Sequence, residues 1–104
     1  MESFGALIKK LRSEKGLLLR EVSASLEIDP SLLSRIESNT KRATREHVIR
    51  LAAILGADEN ELLISYLSDR IVYQLQGEEL AMKAMVVAEK KMRYLTINKN
   101  NDAK

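Results

Sequence analysis

The residues with the most chemistry to offer lie between Pro30 and Arg45. Ser31, Ser34, Arg35 and Ser38 recur at i, i+3, i+4 and i+7, which at 100° per residue is one helix face, opposite Leu33 and Ile36. Short hydroxyls allow close approach and hydrogen-bond to oxygens, while a guanidinium offers a rigid fork of donors. The set suits an acceptor-rich partner: phosphate oxygens, or the O6 and N7 of a guanine. Lys41, Arg42, Thr44 and Arg45 follow directly. Arg35, Lys41, Arg42, Arg45 and Arg50 form a run of cations opposed only by Glu37 and Glu46. An ordinary solvated face has the same composition, so these residues alone leave both readings open.

Other chemistries fail on inventory. The chain has no cysteine, which excludes disulfides, Cys-ligated zinc and thiol catalysis. Its one histidine, His47, lacks a ligand partner pattern and reads as a surface residue. HExxH, phosphate-loop and dinucleotide glycine patterns are absent. The acidic pairs Asp58-Glu59 and Glu78-Glu79 fall at predicted helix starts, where the dipole favours negative charge. No enzyme activity, cofactor, metal or small-molecule ligand is expected. The 104 residues are 45% hydrophobic and 31% charged with a formal net charge of +2, the profile of one small soluble domain with or without an extension. Residues 1–66 carry as many acids as bases, so distribution, not net charge, is informative. No run of 18 apolar residues exists and the N-terminal stretch lacks a signal-peptide core, so a cytoplasmic protein without membrane contact is expected.

The elements that must hold these residues are helices. Ser3 caps a first, with Phe4, Leu7, Ile8 and Leu11 inside and Gly16 closing it. Val22 and Leu26 lie one turn apart on a second. Ile28 is apolar in the turn, Asp29 is an N-cap, and Pro30 suits the first position of a third helix. Asn39 takes a left-handed C-terminal position. Thr44 caps a fourth helix containing Val48, Leu51, Ala52 and Leu55, ended by Gly56. Asp58 and Glu61 form a capping box for a fifth, with Leu62, Leu63, Tyr66 and Leu67 following. There is no period-2 pattern and no repeat.

Two short helices joined through Glu27-Ile28-Asp29-Pro30 are what a helix-turn-helix requires. Gly16 to Leu63 resembles the phage-repressor-like (Cro and XRE type) helix-turn-helix family, carried by "LSRIES", "IRLAAILGADENELL" and the apolar spacing Val22, Leu26, Ile28, Leu33, Ile36. The likeness covers roughly residues 4–66. It implies an all-α, five-helix lambda-repressor-like domain at 1–67 that binds double-stranded DNA with its third helix in the major groove. Restriction–modification controllers and phage switch regulators are similar in size and layout. The resemblance makes Ser31, Ser34 and Arg35 base-contacting, with Arg35 the principal reader. It makes Ser38, Lys41, Arg42, Thr44 and Arg45 phosphate-contacting, helped by free N–H groups at the Thr44 helix start. It pairs Arg12 with Glu37 as a structural salt bridge. Two departures stand out. Leu18 and Leu19 occupy the place of the family's phosphate-gripping Thr/Ser-Gln, and Glu27 stands where the turn often has Gly.

Residues 68–104 lie beyond the resemblance. Ile71, Val72 and Leu75 continue the fifth helix or start another up to Gly77. Glu78 and Glu79 open a last helix ending at Lys90, Lys91 and Arg93, and Asn98 to Lys104 is expected to fray. Leu80, Ala81, Ala84, Met85, Val87, Ala88 and Met92 make a wide apolar stripe, expected to form a homodimer, with packing back on its own domain as the alternative. Two functions are compatible with this layout. One is a dimeric transcriptional regulator, a repressor or autoregulator on paired half-sites. The other is an antitoxin or anti-regulator whose C-terminal helix binds a protein partner.

Overall fold

The computed structural model describes residues 2–102 and contains six helices with no strand among them: α1 (Phe4–Glu14), α2 (Leu19–Leu26), α3 (Pro30–Glu37), α4 (Arg45–Leu55), α5 (Glu59–Leu75) and α6 (Ala81–Asp102). Local chemistry sets most of the ends. The Ser3 hydroxyl accepts the Ala6 N–H at 3.2 Å, and the Asp58 carboxylate accepts the Glu61 N–H at 2.9 Å. Gly56, at φ 62°, ends α4, and Ala57 N–H returns to the Ala52 carbonyl at 2.9 Å. Pro30 opens α3, but the expected Asp29 cap is only positional, because its side chain makes no capping hydrogen bond.

The chain divides into two compact units, residues up to 71 and from 72 on. In the first, α3 packs on α1 and α2, and α4 packs on α1 and α2. The shared core is Phe4, Ile8, Val22, Leu26, Leu33, Ile36, Ala43, Val48, Leu51, Ala52, Leu55, Leu62 and Leu63. Tyr66 meets Phe4 edge-to-face, centroids 5.7 Å apart. Leu67, expected to point inward, is exposed: it lies four residues past Leu63, where the first unit offers no further core.

In the second unit the last helix differs from expectation at both ends. It begins at Ala81, not at the Glu78-Glu79 pair, because Gly77 (φ 84°) leads into a turn in which Glu78 N–H bonds the Leu75 carbonyl and Ala81 N–H bonds the Glu78 carbonyl. It runs to Asp102, so Lys90, Lys91 and Arg93 sit mid-helix and Asn98 to Asp102 is helical, not frayed. No Gly or Pro follows Gly77 to break it. Residues 103–104 of the expected frayed end lie outside the described residues. No described helix is long and apolar enough to cross a membrane.

Candidate nucleic-acid interface

The tight joint between α2 and α3 depends on Glu27. It adopts the left-handed conformation, φ 59° and ψ 40°, so that Ile28 N–H reaches the Ser23 carbonyl at 3.0 Å. The chain tolerates this positive φ instead of adopting another turn, at a cost of about 1 kcal/mol. Ser23 is fully buried where α2 meets its neighbours, and its hydroxyl donates to the Arg20 carbonyl at 3.1 Å. Its small size permits the approach and its polar atom is satisfied.

With Leu33 and Ile36 buried, α3 presents Ser31, Ser34, Arg35 and Ser38 to solvent, as their spacing requires. Lys41, Arg42, Thr44 and Arg45 are exposed as well. The loop joining the two groups is tightly wound. The Arg35 carbonyl accepts from Thr40 N–H (2.9 Å), Lys41 N–H (3.3 Å), Ser38 Oγ (3.1 Å) and Thr40 Oγ1 (3.3 Å). Ser38 Oγ also meets Thr40 Oγ1 at 3.1 Å. Ser38 therefore serves the helix end first, though its oxygen still has acceptor capacity. Asn39 sits at φ 63°, which turns the chain out of α3.

The start of α4 is less open than its sequence implies. Thr44 Oγ1 accepts the His47 N–H at 3.1 Å, and His47 Nδ1 accepts the Thr44 N–H at 3.2 Å. This is a capping box with histidine in the usual Glu position. His47 is thus a structural cap, and only the Arg45 and Glu46 N–H groups are left without intrahelical partners for an anion.

One cation leaves the set. Arg50 Nη1 donates to the Leu26 carbonyl at 3.3 Å, across the end of α2, and its Nε lies 3.9 Å from Glu46. It caps α2 from α4, a task invisible to a count of local charge. Arg12 and Glu37 pair as the resemblance implied, through two hydrogen bonds of 2.7 and 3.0 Å. Arg12 also holds the Leu17 carbonyl at 2.9 Å. Hydrogen bonding to Glu37 raises the Arg12 pKa, opposed by burial and helped by the attraction of the carboxylate.

Two groups of contacts were missed in the sequence. The Asp69 carboxylate accepts the Phe4 N–H at 2.8 Å, and Asn39 bonds both Gly5 N–H (3.2 Å) and Ser3 Oγ (2.7 Å). No local pattern signals partners so far apart in the chain. Leu18, at the N-cap of α2, is 48% exposed and makes no side-chain cap. In its place Glu21 accepts the Leu18 N–H at 2.9 Å. Among the described residues no cluster of His, Cys, Asp and Glu is suited to hold a metal.

An all-α core that exposes one hydroxyl- and guanidinium-bearing helix beside a basic loop defines a helix-turn-helix nucleic-acid-binding domain. A helix-turn-helix domain family model matches residues 5–67, and the chain belongs to that family. It is similar to a crystal structure of the clp gene regulator ClgR from Corynebacterium glutamicum at 29% identity and TM-score 0.55, over 64% of this chain and 86% of that one. A second ClgR structure aligns over 91% of this chain and 88% of that one at TM-score 0.56 and 24% identity, a likeness of fold alone. No curated protein matches the chain.

Proposed function

We propose that the protein is a sequence-specific transcriptional regulator, a repressor or autoregulator, that binds paired half-sites in double-stranded DNA as a homodimer. The observation that carries the reading is the solvent face of α3, where Ser31, Ser34 and Arg35 stand clear of the core beside an exposed basic loop. With α3 in the major groove, Arg35 reads a guanine through its forked donors, and Ser31 and Ser34 bond base edges. Ser38, Lys41, Arg42, Thr44 and Arg45 hold phosphates. Leu18 and Leu19 bring no phosphate grip, so the loop after α3 carries most of the backbone contact. The domain comprises about residues 1–67, acts in the cytoplasm, and needs no catalysis, cofactor or small-molecule effector. The solved relative's description as a gene regulator supports the regulatory reading.

Dimerisation is assigned to residues 68–104. Ala81, Ala84, Met85, Ala88, Met92 and Leu95 fall on one stripe of α6 at 100° per residue, and Met92 and Leu95 are more than half exposed in the single chain. A second copy would cover them. One observation favours the alternative, an antitoxin or anti-regulator whose α6 binds a protein partner. Met82, Val86 and Ile97, on another side of the helix, are also exposed, and a single helix pair would leave them bare.

Selection of bound fragments from random DNA, followed by mass measurement of the complex, tests the proposal. A recurring inverted repeat holding two chains is the expected result. Absence of any enriched sequence would favour the protein-partner reading.

A further inference from the structure

Ala81, Met85, Ala88 and Met92 of α6 are spaced so that they keep to one line of the helix, the seam of a coiled coil. Ala88 and Met92 are exposed, Met92 at 64%, and Ala81 and Met85 are half-buried. The line alternates small and large side chains. In a parallel, in-register pair each residue meets its own copy, so alanine faces alanine and methionine faces methionine. The alanine layers then leave gaps while the methionine layers hold the backbones apart. With the second helix reversed, Ala81 faces Met92 of the second copy and Met85 faces its Ala88. Every layer then holds one small and one large residue, and the two backbones stay evenly spaced.

Charge favours the same direction. Residues 78–89 hold Glu78, Glu79 and Glu89 against Lys83 alone, and residues 90–102 hold Lys90, Lys91, Arg93 and Lys99 against Asp102 alone. An antiparallel pair sets the acidic half of each helix against the basic half of the other. A parallel pair puts like beside like, and Lys99, one heptad past Met92 on the same line, would face its own copy. Beside the seam, Glu89 holds Arg93 of its own helix at 2.8 Å. In the antiparallel register Glu89 flanks Met82 of the second copy and Lys91 flanks its Ala84, so no like charges meet there.

We propose that α6 is a self-complementary interface that takes α6 of a second copy in antiparallel orientation, with Ala81 on Met92 and Met85 on Ala88. The inference rests on the dimeric reading above and adds direction and register to it.

The chain has no cysteine, so introduced thiols report their neighbours without background. Ala81→Cys and Met92→Cys are made in the full chain. Each is oxidised alone and as an equal mixture whose subunits have exchanged under reducing conditions, and sedimentation at micromolar concentration gives the mass of each reduced protein and of the wild type. A disulfide needs Cα atoms within about 7 Å. In the antiparallel pair Ala81 lies about 16 Å along the axis from its own counterpart, so neither variant alone should link. The mixture should join the two variants to each other at least about tenfold faster than either joins to itself. Efficient linking of each variant to itself would show a parallel pair and overturn the proposal. A dimer by mass in which nothing links would place the contact in another register or off α6, which overturns the proposal and leaves the dimeric reading standing. A monomeric wild type would remove the dimeric reading, and the inference with it. Should a substitution itself dissociate the dimer, Ala84→Cys and Lys91→Cys, beside the seam, replace the pair, with a short bis-maleimide in place of the oxidant and the same outcomes.

Discussion

Arg12 and Glu37 form a two-pronged ion pair, Nε to Oε2 at 2.7 Å and Nη2 to Oε1 at 3.0 Å, that joins the end of α1 to the end of α3. Their side chains are 14% and 5% exposed, so neither can turn to water if its partner is lost. Arg12 also holds the Leu17 carbonyl. One guanidinium thereby ties α1, the approach to α2 and the helix assigned to base reading.

Replacing Arg12 or Glu37 by alanine should cost about 3 kcal/mol, the penalty of an orphaned buried charge. The melting temperature should fall by more than about 10 °C. The DNA sequence recovered by selection should not change. Because the Arg12 pKa is raised in the folded protein, its contribution is fully present below the unfolded value and would fade only in strong alkali. Melting curves between pH 6 and 8 should therefore show the same Arg12→Ala loss. A recovered sequence that changed while stability held would show that Arg12 contacts DNA.

Glu27 at φ 59° is a position where glycine is the less strained residue. Glu27→Gly should raise stability by up to about 0.5 kcal/mol, the relief of about 1 kcal/mol of left-handed strain less the added chain entropy of glycine. Chemical denaturation measures it. A loss of stability would mean that the Glu27 side chain contributes more than its backbone costs.

Arg50 and Arg45 should behave differently although both are cations of α4. Arg45→Ala should lower the dependence of log affinity on log salt by about one unit. Arg50→Ala removes the cap on the Leu26 carbonyl and should cost about 1 kcal/mol of stability with the salt slope intact. Binding titrations at several salt concentrations, with a melting curve for each variant, separate the two roles.

Deleting residues 78–104 should leave a folded monomer that binds a two-half-site operator far more weakly. Sedimentation at micromolar concentration reads the mass directly. An intact dimer would place the interface within residues 1–77, where Ile64, Leu67 and Ile71 are also exposed.

What could be read in advance followed the range of the forces involved. Caps at Ser3 and Thr44, the glycine end at Gly56 and the left-handed Asn39 depend on neighbours within one turn, so they were legible. The face of α3 was legible because Leu33 and Ile36 fix its rotation. Arg50 was counted in the local run of cations because sequence shows its charge but not the Leu26 carbonyl that α4 brings within reach. His47 was passed over as a surface residue because its capping bond needs a ring nitrogen where Glu is usual. The Asp69 tie was hidden by the 65 residues that separate it from Phe4. The end of α6 was misjudged because Asn98 onward is polar, yet polar residues without Gly or Pro continue a helix readily.

Arg35 provides the most direct measurement: affinity of Arg35→Ala and Arg45→Ala for a selected operator and for random DNA of equal length at one salt concentration. Arg35→Ala should lose about 1–3 kcal/mol on the operator alone and relax the preference at one base pair of each half-site. Arg45→Ala should lose the same factor on both DNAs. If Arg35→Ala weakened operator and random DNA equally, α3 would not be reading bases through Arg35, and the central assignment would fail.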